Sequence, residues 1–156
     1  MARANPLWRQ ADRQAVLAIF QGPQAYISPT WYATKAATHK VVPTWNYAVV
    51  HAHGVLSATQ DADWLLALVK RLTTQHEAGR DPAWGVTDAP ADYVAQMLRA
   101  IVGIEIRLTR CVGKWKSGQN RTEADRTGVA AVLAREPQLG VDQLADLIRG
   151  PDQGPV

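Results

Sequence analysis

At 156 residues, 47% of them hydrophobic and 20% charged, the chain has the length of one domain. It could bury about 70% of its extended-chain surface, so its core needs no disulfide or structural metal. The net charge of +3, from 17 basic and 14 acidic residues, suits an anionic ligand but is too small to specify nucleic acid. The single cysteine, Cys111, cannot form an internal disulfide, and no apolar run follows a charged start, which argues against secretion or membrane insertion and for the cytoplasm.

Along the chain, the apolar run AVLAIF (15–20), closed by Gln-Gly-Pro and followed by AYIS, predicts a buried strand, a turn at Gly22-Pro23 and a second short extended piece. Residues 28–40, SPTWYATKAATHK, read as an ordered loop. The segment VVPTWNYAVVHAHG (41–54) opens a long strand to about Ser57. A strand built only to fill a core would use Val, Ile and Leu. This one places Trp45, Tyr47, Val49, His51 and His53 on one face and Asn46, Ala48, Val50 and Ala52 on the other, with the smaller face toward the core.

From Asp61 the apolar period changes from two to 3.6. Trp64, Leu65, Leu68, Val69 and Leu72 line one side of a helix that Asp61 can cap. A second amphipathic helix carries Tyr93, Val94, Met97, Leu98 and Ile101 and starts at Pro90. In GIEIRLTRCV (103–112) alternation predicts a half-buried strand with one wet face. Two further helices follow, one opening at Thr122 with Asp125 at capping-box spacing and one ending at Gly150. Residues 1–149 are assigned to a single domain and residues 150–156 to a flexible tail. The order of elements is α+β, and about four visible strands are few for a sheet that closes on itself.

Several chemistries find little support. His51 and His53 share a strand face at a spacing that can hold a metal, but no third ligand follows at a suitable spacing, and no metal site is assigned. Cys111 lacks the surroundings of a nucleophile and reads as an inert thiol. There is no G-x-G-x-x-G phosphate loop, and no catalytic residue is assigned.

Five segments carry a more specific signal: ARANPLWR (2–9), FQGPQAYISPTWY (20–32), VVPTWNYAVVHAHG (41–54), AIVGIEI (100–106) and GKWKSGQNRTEADRTGV (113–129). In this order and approximate spacing they resemble the PaiB-like family of FMN-binding negative transcriptional regulators, from residue 2 to about 135. The resemblance implies an FMN-binding split β-barrel with packed helices, which dimerises and holds flavin mononucleotide between subunits. Family members usually carry opening strands ahead of the ARANP segment. Their absence here predicts an incomplete barrel, an uncovered edge at residues 15–20 or 46–57, a partner chain over that edge, and weak FMN binding by a single chain. The family's last motif usually runs Lys-Leu-Ser-Gln-Asn-Arg; here Ser117 stands for Leu and Gly118 for Ser, which removes one hydroxyl contact.

FMN presents a phosphate dianion, a polar ribityl chain and a flat ring, so its site needs cations, hydroxyl or amide donors, and aromatic faces. With the resemblance, this marks Arg3, Ser28, Trp31, Tyr32, Lys35, Thr44, Trp45, Asn46, Tyr47, Lys114, Lys116, Gln119, Asn120 and Arg121. The blander reading makes the aromatics core and lets Glu123 and Asp125 pair with the nearby cations on the surface. Two other functions stay open: a flavin-dependent oxidoreductase, and a nucleic-acid binder using Trp115 between its lysines. A DNA-reading helix pair over residues 123–149 is poorly supported, because its second helix has two aspartates and one arginine.

Overall fold

The computed structural model describes residues 1–135 and 141–149. The expected tail and the turn at residues 136–140 lie outside the described residues. In chain order the elements are α1 (Leu7–Ala11), β1 (Ala15–Ile27), a 3₁₀ turn (Pro29–Trp31), α2 (Ala33–Thr38), β2 (Thr44–Thr59), α3 (Ala62–Glu77), a second 3₁₀ turn (Val86–Asp88), α4 (Ala91–Arg99), β3 (Gly103–Lys116), α5 (Glu123–Leu133) and α6 (Val141–Arg149). The strands form one antiparallel sheet in the order β1-β2-β3. The fold is therefore α+β; β2 is central, and the edge expected at residues 15–20 or 46–57 falls on β1. Among the described residues no helix is long and apolar enough to cross a membrane.

The turn expected at Gly22-Pro23 does not exist. β1 passes straight through it, which merges two expected strands into one. An edge strand can carry proline, since only one side of it has to supply ladder hydrogen bonds. Nor is the apolar run of β1 buried: Ile19 and Phe20 are 55% and 62% exposed.

Contacts divide the chain into two compact units, one of Met1–Leu17 and His53–Arg110 (unit 1) and one of Ala18–Ala52 and Cys111 onward (unit 2). In unit 1 the Asp61 carboxylate accepts from the Trp64 amide at 2.8 Å and so caps α3 as its position predicts. Leu56, Leu65, Val86 and Val102 are buried. The N-terminal segment is tied by backbone: Arg3 N donates to Ala100 O at 2.8 Å and Arg13 N to Leu56 O at 2.8 Å. Gly54 is required by a close approach, because a Cβ there would lie 2.5 Å from the Arg107 carbonyl oxygen. The five-residue α1 has no apolar period to announce it and escapes the sequence reading.

In unit 2, Ala25, Ile27, Tyr32, Val129, Ala130, Leu133, Leu144, Ala145 and Ile148 form one core cluster, with Trp31 and Val41 packed against it. Burying each large aliphatic side chain there contributes about 1.5–3 kcal/mol. The alternation of β2 holds only in part: Asn46 and Ala52 are buried and Trp45 is exposed, but Ala48 and Val50, expected in the core, are half-buried like Tyr47, Val49 and His51 on the other face. The expected loop at 28–40 instead contains a 3₁₀ turn and α2, which ends on His39 at φ 57°. The Thr122 hydroxyl caps α5 by accepting from Asp125 N at 3.2 Å. The Asp125 carboxylate is committed to Thr34, accepting from its amide and its hydroxyl, both at 2.8 Å.

Candidate functional site

The thirteen marked residues other than Arg3 all belong to unit 2. They fall into two groups. In the first, the start of β2 meets the end of β3. The Lys116 ammonium donates to the Thr44 hydroxyl at 2.7 Å, and the Lys114 ammonium stands 5.8 Å from the centre of the Tyr47 ring. Trp45 is 48% exposed, and its indole N–H donates to the Gln24 side-chain oxygen at 3.1 Å. Among the described residues neither lysine is in an ion pair, so the expected pairing with Glu123 and Asp125 is not realised there. A ring face and a neutral hydroxyl leave both charges uncompensated and able to attract an anion.

The second group braces the fold. Ser28 caps the first 3₁₀ turn by accepting from Thr30 N at 3.2 Å, and Trp31 packs against the core. Tyr32 is buried, with the Arg121 guanidinium 4.6 Å from its ring centre. Burial raises the Tyr32 phenol above its ordinary range; the Arg121 charge opposes this and the Asp125 charge adds to it. Burial also works against an ionised Asp125. The Thr34 amide and hydroxyl, the Arg121 charge and the Thr122 hydroxyl outweigh it and hold the carboxyl below the usual carboxylate range. Gln119 folds the loop after β3, donating to Trp115 O at 2.8 Å and accepting from Ser117 N at 3.1 Å. Gly118 sits at φ +75°, where glycine is least strained. Lys35 is half-buried on α2, Asn46 is buried, and Asn120 is exposed.

Trp45 and Tyr47 also line an open concavity of about 290 Å³, together with Ile19, Gln21, Gln24 and His51. The last four were not marked from sequence. Two glutamines on an otherwise apolar strand were the available signal, and the buried reading of β1 concealed it. The volume lies at the lower limit of about 300–1,000 Å³ typical of ligand pockets. Its aromatic flank suits a flat ring, its amides suit hydroxyls, and Lys114 adjoins it through Tyr47, so the donor set fits FMN.

Arg3 stands apart from this set in unit 1. Its Nη2 is 3.5 Å from Ile101 O, and its Nε is buried without a hydrogen-bond partner among the described residues. His53, the second strand histidine, is also in unit 1, with Nε2 3.1 Å from an Arg110 guanidinium nitrogen. Cys111 is exposed.

Over residues 1–110 the chain matches the family described as "Putative FMN-binding domain", a match that ends before Lys114. It is 33% identical to the Bacillus subtilis (strain 168) "Protease synthase and sporulation protein PAI 2", over 94% of this chain and 69% of that protein. It is 36% identical to an uncharacterized protein of Emericella nidulans, over 86% of this chain and 58% of the relative. A Saccharomyces cerevisiae uncharacterized protein is 42% identical over 51% of this chain and 48% of its own length. The chain thus spans about half to seven tenths of the length of these relatives.

Proposed function

The chain belongs to the PaiB-like family of FMN-binding domains, and on that premise we propose that it binds FMN on the open face of unit 2 as a homodimer. It then serves as a flavin-binding module in transcriptional control, not as a turnover enzyme. The observation that carries this reading is the concavity flanked by Trp45 and Tyr47, with Lys114 and Lys116 free of carboxylate partners among the described residues. In this reading Trp45 and Tyr47 offer faces to the ring, Gln21, Gln24 and Thr44 bind ribityl hydroxyls, and the two lysines hold the phosphate. FMN, when bound, supplies a redox-active ring. The dimer is supported by exposed Ile19 and Trp45 on the open concavity that they line, which a second copy would cover. The regulatory role rests on the resemblance to PaiB-like regulators.

Direct reading of bases by α6 receives no support. Its Arg149 is paired with Asp146 at 2.6 Å, and Leu144, Ala145 and Ile148 are buried. A flavin-fluorescence titration with light scattering tests the proposal. A dimer binding one FMN per chain is expected, with riboflavin weaker and with Lys114→Ala and Lys116→Ala each weaker by several-fold or more, as for lost charged hydrogen bonds of about 1.5–3 kcal/mol. Unchanged affinity in both variants would remove the phosphate role, and a monomer that binds FMN stoichiometrically would remove the dimer. Sustained NAD(P)H-dependent reduction of the bound flavin would favour an oxidoreductase instead.

A further inference from the structure

We propose that unit 1 binds a small aliphatic carboxylate, of the medium-chain fatty acid class, in the hollow between α3, the second 3₁₀ turn and α4. All of its lining residues belong to unit 1, so the site stands or falls apart from the FMN reading of unit 2. Leu66, Val86, Val94 and Leu98 form the walls. Val86 is buried and the other three are only half-buried, and α4 buries none of its own residues fully. Ala89, Ala91 and Ala95 complete the apolar lining, and their single methyls leave open a space that longer side chains at the same positions would occupy. The walls are held by backbone. Asp88 accepts from Gly85 N through its carboxylate at 2.8 Å and donates its amide to Gly85 O at 2.9 Å, while the Pro90 carbonyl accepts from Val94 N at 3.0 Å.

Lys70 and Thr87 are the polar side chains of the lining. Among the described residues Lys70 is in no ion pair. Neither Asp88, committed to Gly85 N, nor Asp92 lines the hollow, and Glu77, further along α3, pairs with Arg80 at 3.4 Å. A lysine stem adds methylenes to an apolar wall and keeps its ammonium in water, so Lys70 suits a charged head group at the mouth. An ordered water needs about two to four polar partners. This lining holds water poorly, and apolar groups that displace such water gain affinity. One ammonium and one hydroxyl match a monoanionic head, whereas a phosphate dianion calls for more donors. With neither aromatic rings nor amide side chains, the lining offers a flavin ring and its ribityl chain nothing to hold them. The volume of about 310 Å³ lies at the lower limit of the roughly 300–1,000 Å³ typical of ligand pockets, which suits a medium-length alkyl chain.

Calorimetric titration of the full chain with sodium octanoate, below micelle formation, tests the site. One octanoate per chain is expected to bind saturably, with or without FMN present. Affinity should rise from hexanoate to octanoate by about fourfold per methylene, the equivalent of about 0.8 kcal/mol per buried CH₂. Lys70→Met keeps an apolar stem and removes the charge, so it should weaken octanoate several-fold and leave 1-octanol unchanged. Ala91→Trp, filling the hollow from an exposed position on α4, should abolish binding of both, and Thr87→Trp supplies a second block from the 3₁₀ turn. Arg71→Gln, beside Lys70 in the chain but outside the lining, should change nothing. Absence of saturable binding, or undiminished binding in whichever Trp variant keeps the wild-type helix content, would overturn the site whatever the outcome for FMN. Displacement of octanoate by FMN would place it on unit 2 and overturn the site as well. A preference for octanoate over 1-octanol that survives Lys70→Met would overturn the carboxylate class.

Discussion

In unit 2, helices α5 and α6 bring Leu133, Leu144 and Ile148 onto Ile27 and Tyr32, and the Asp125 carboxylate ties this cluster to Thr34. In unit 1 the fully buried large side chains are Leu65 and Val102, and backbone does more of the holding, through the Arg3–Ala100 and Arg13–Leu56 bonds and the close approach at Gly54. One unit is organised by side chains around a charged hub and the other by chain-to-chain proximity. The cations divide less cleanly. In unit 2, Lys114, Arg121 and Lys116 rest on rings and a hydroxyl and Arg149 pairs with Asp146; in unit 1, Arg9 rests on the Trp8 ring, Arg13 and Arg80 pair with carboxylates, and Arg3 and Arg99 line a small cavity. A basic excess too small to specify a partner by count gains meaning from where the carboxylates are not.

The sharpest way to break this contrast is to remove the hub. Asp125→Ala should destabilise the protein by about 3 kcal/mol in urea unfolding, because it leaves the half-buried Thr34 amide without its acceptor and deletes charged hydrogen bonds of about 1.5–3 kcal/mol each. A loss below about 1 kcal/mol would mean that apolar packing alone holds unit 2. The counterpart in unit 1 is Gly54→Ala. The added methyl meets backbone, which cannot swing aside, so a cost of about 2 kcal/mol is expected, with helix content retained by circular dichroism. Next come the helix caps, Asp61→Ala in unit 1 and Thr122→Ala in unit 2, each about 1 kcal/mol. Equal cap effects beside unequal hub and glycine effects would place the contrast in tertiary contacts and not in helix formation.

Acid should produce the subtlest separation. The Asp125 carboxyl titrates below its ordinary range in the folded state, so its stabilising contribution is present above the unfolded value of about 4 and fades as pH falls through the lower folded value. Urea midpoints measured across that window should fall in the wild type, and Asp125→Asn should lack that part of the fall. Tyr32, raised by burial, acts at the other end. Its contribution is complete below about pH 10 and is lost as pH rises through the folded value.

How much of this was legible depended on how far each signal reached along the chain. The alternation of β2 and the Asp61 cap of α3 are local patterns; the structure repeats the cap, and the alternation at Asn46 and from Ala52 onward. α2 is not local. Its six residues, ATKAAT, carry no apolar stripe, and the Thr34 bonds that hold it come from Asp125, 91 positions later. β1 misled for another reason, since an apolar run flanked by Gly-Pro reads as core plus turn. Only the strand order, which makes it an edge, shows that proline is tolerated there and that Ile19 can face outward. The candidate site followed the same rule. Trp45, Tyr47 and the two lysines were readable as residue types. Gln21, Gln24 and Ile19 became part of it only once β1 lay beside β2, and the grouping of Lys70 with Val94 and Leu98 depends on unit 1 contacts that no spacing announces.

The bond between Thr34 and Asp125 also imposes an order on biosynthesis. At ribosomal rates of about 5–20 residues per second, the 91 positions between them correspond to roughly 5–20 s during which α2 has left the exit tunnel without its carboxylate. Nascent chains stalled before residue 125 should therefore leave residues 33–38 open to protease, and extension or release that brings α5 out of the tunnel should protect them.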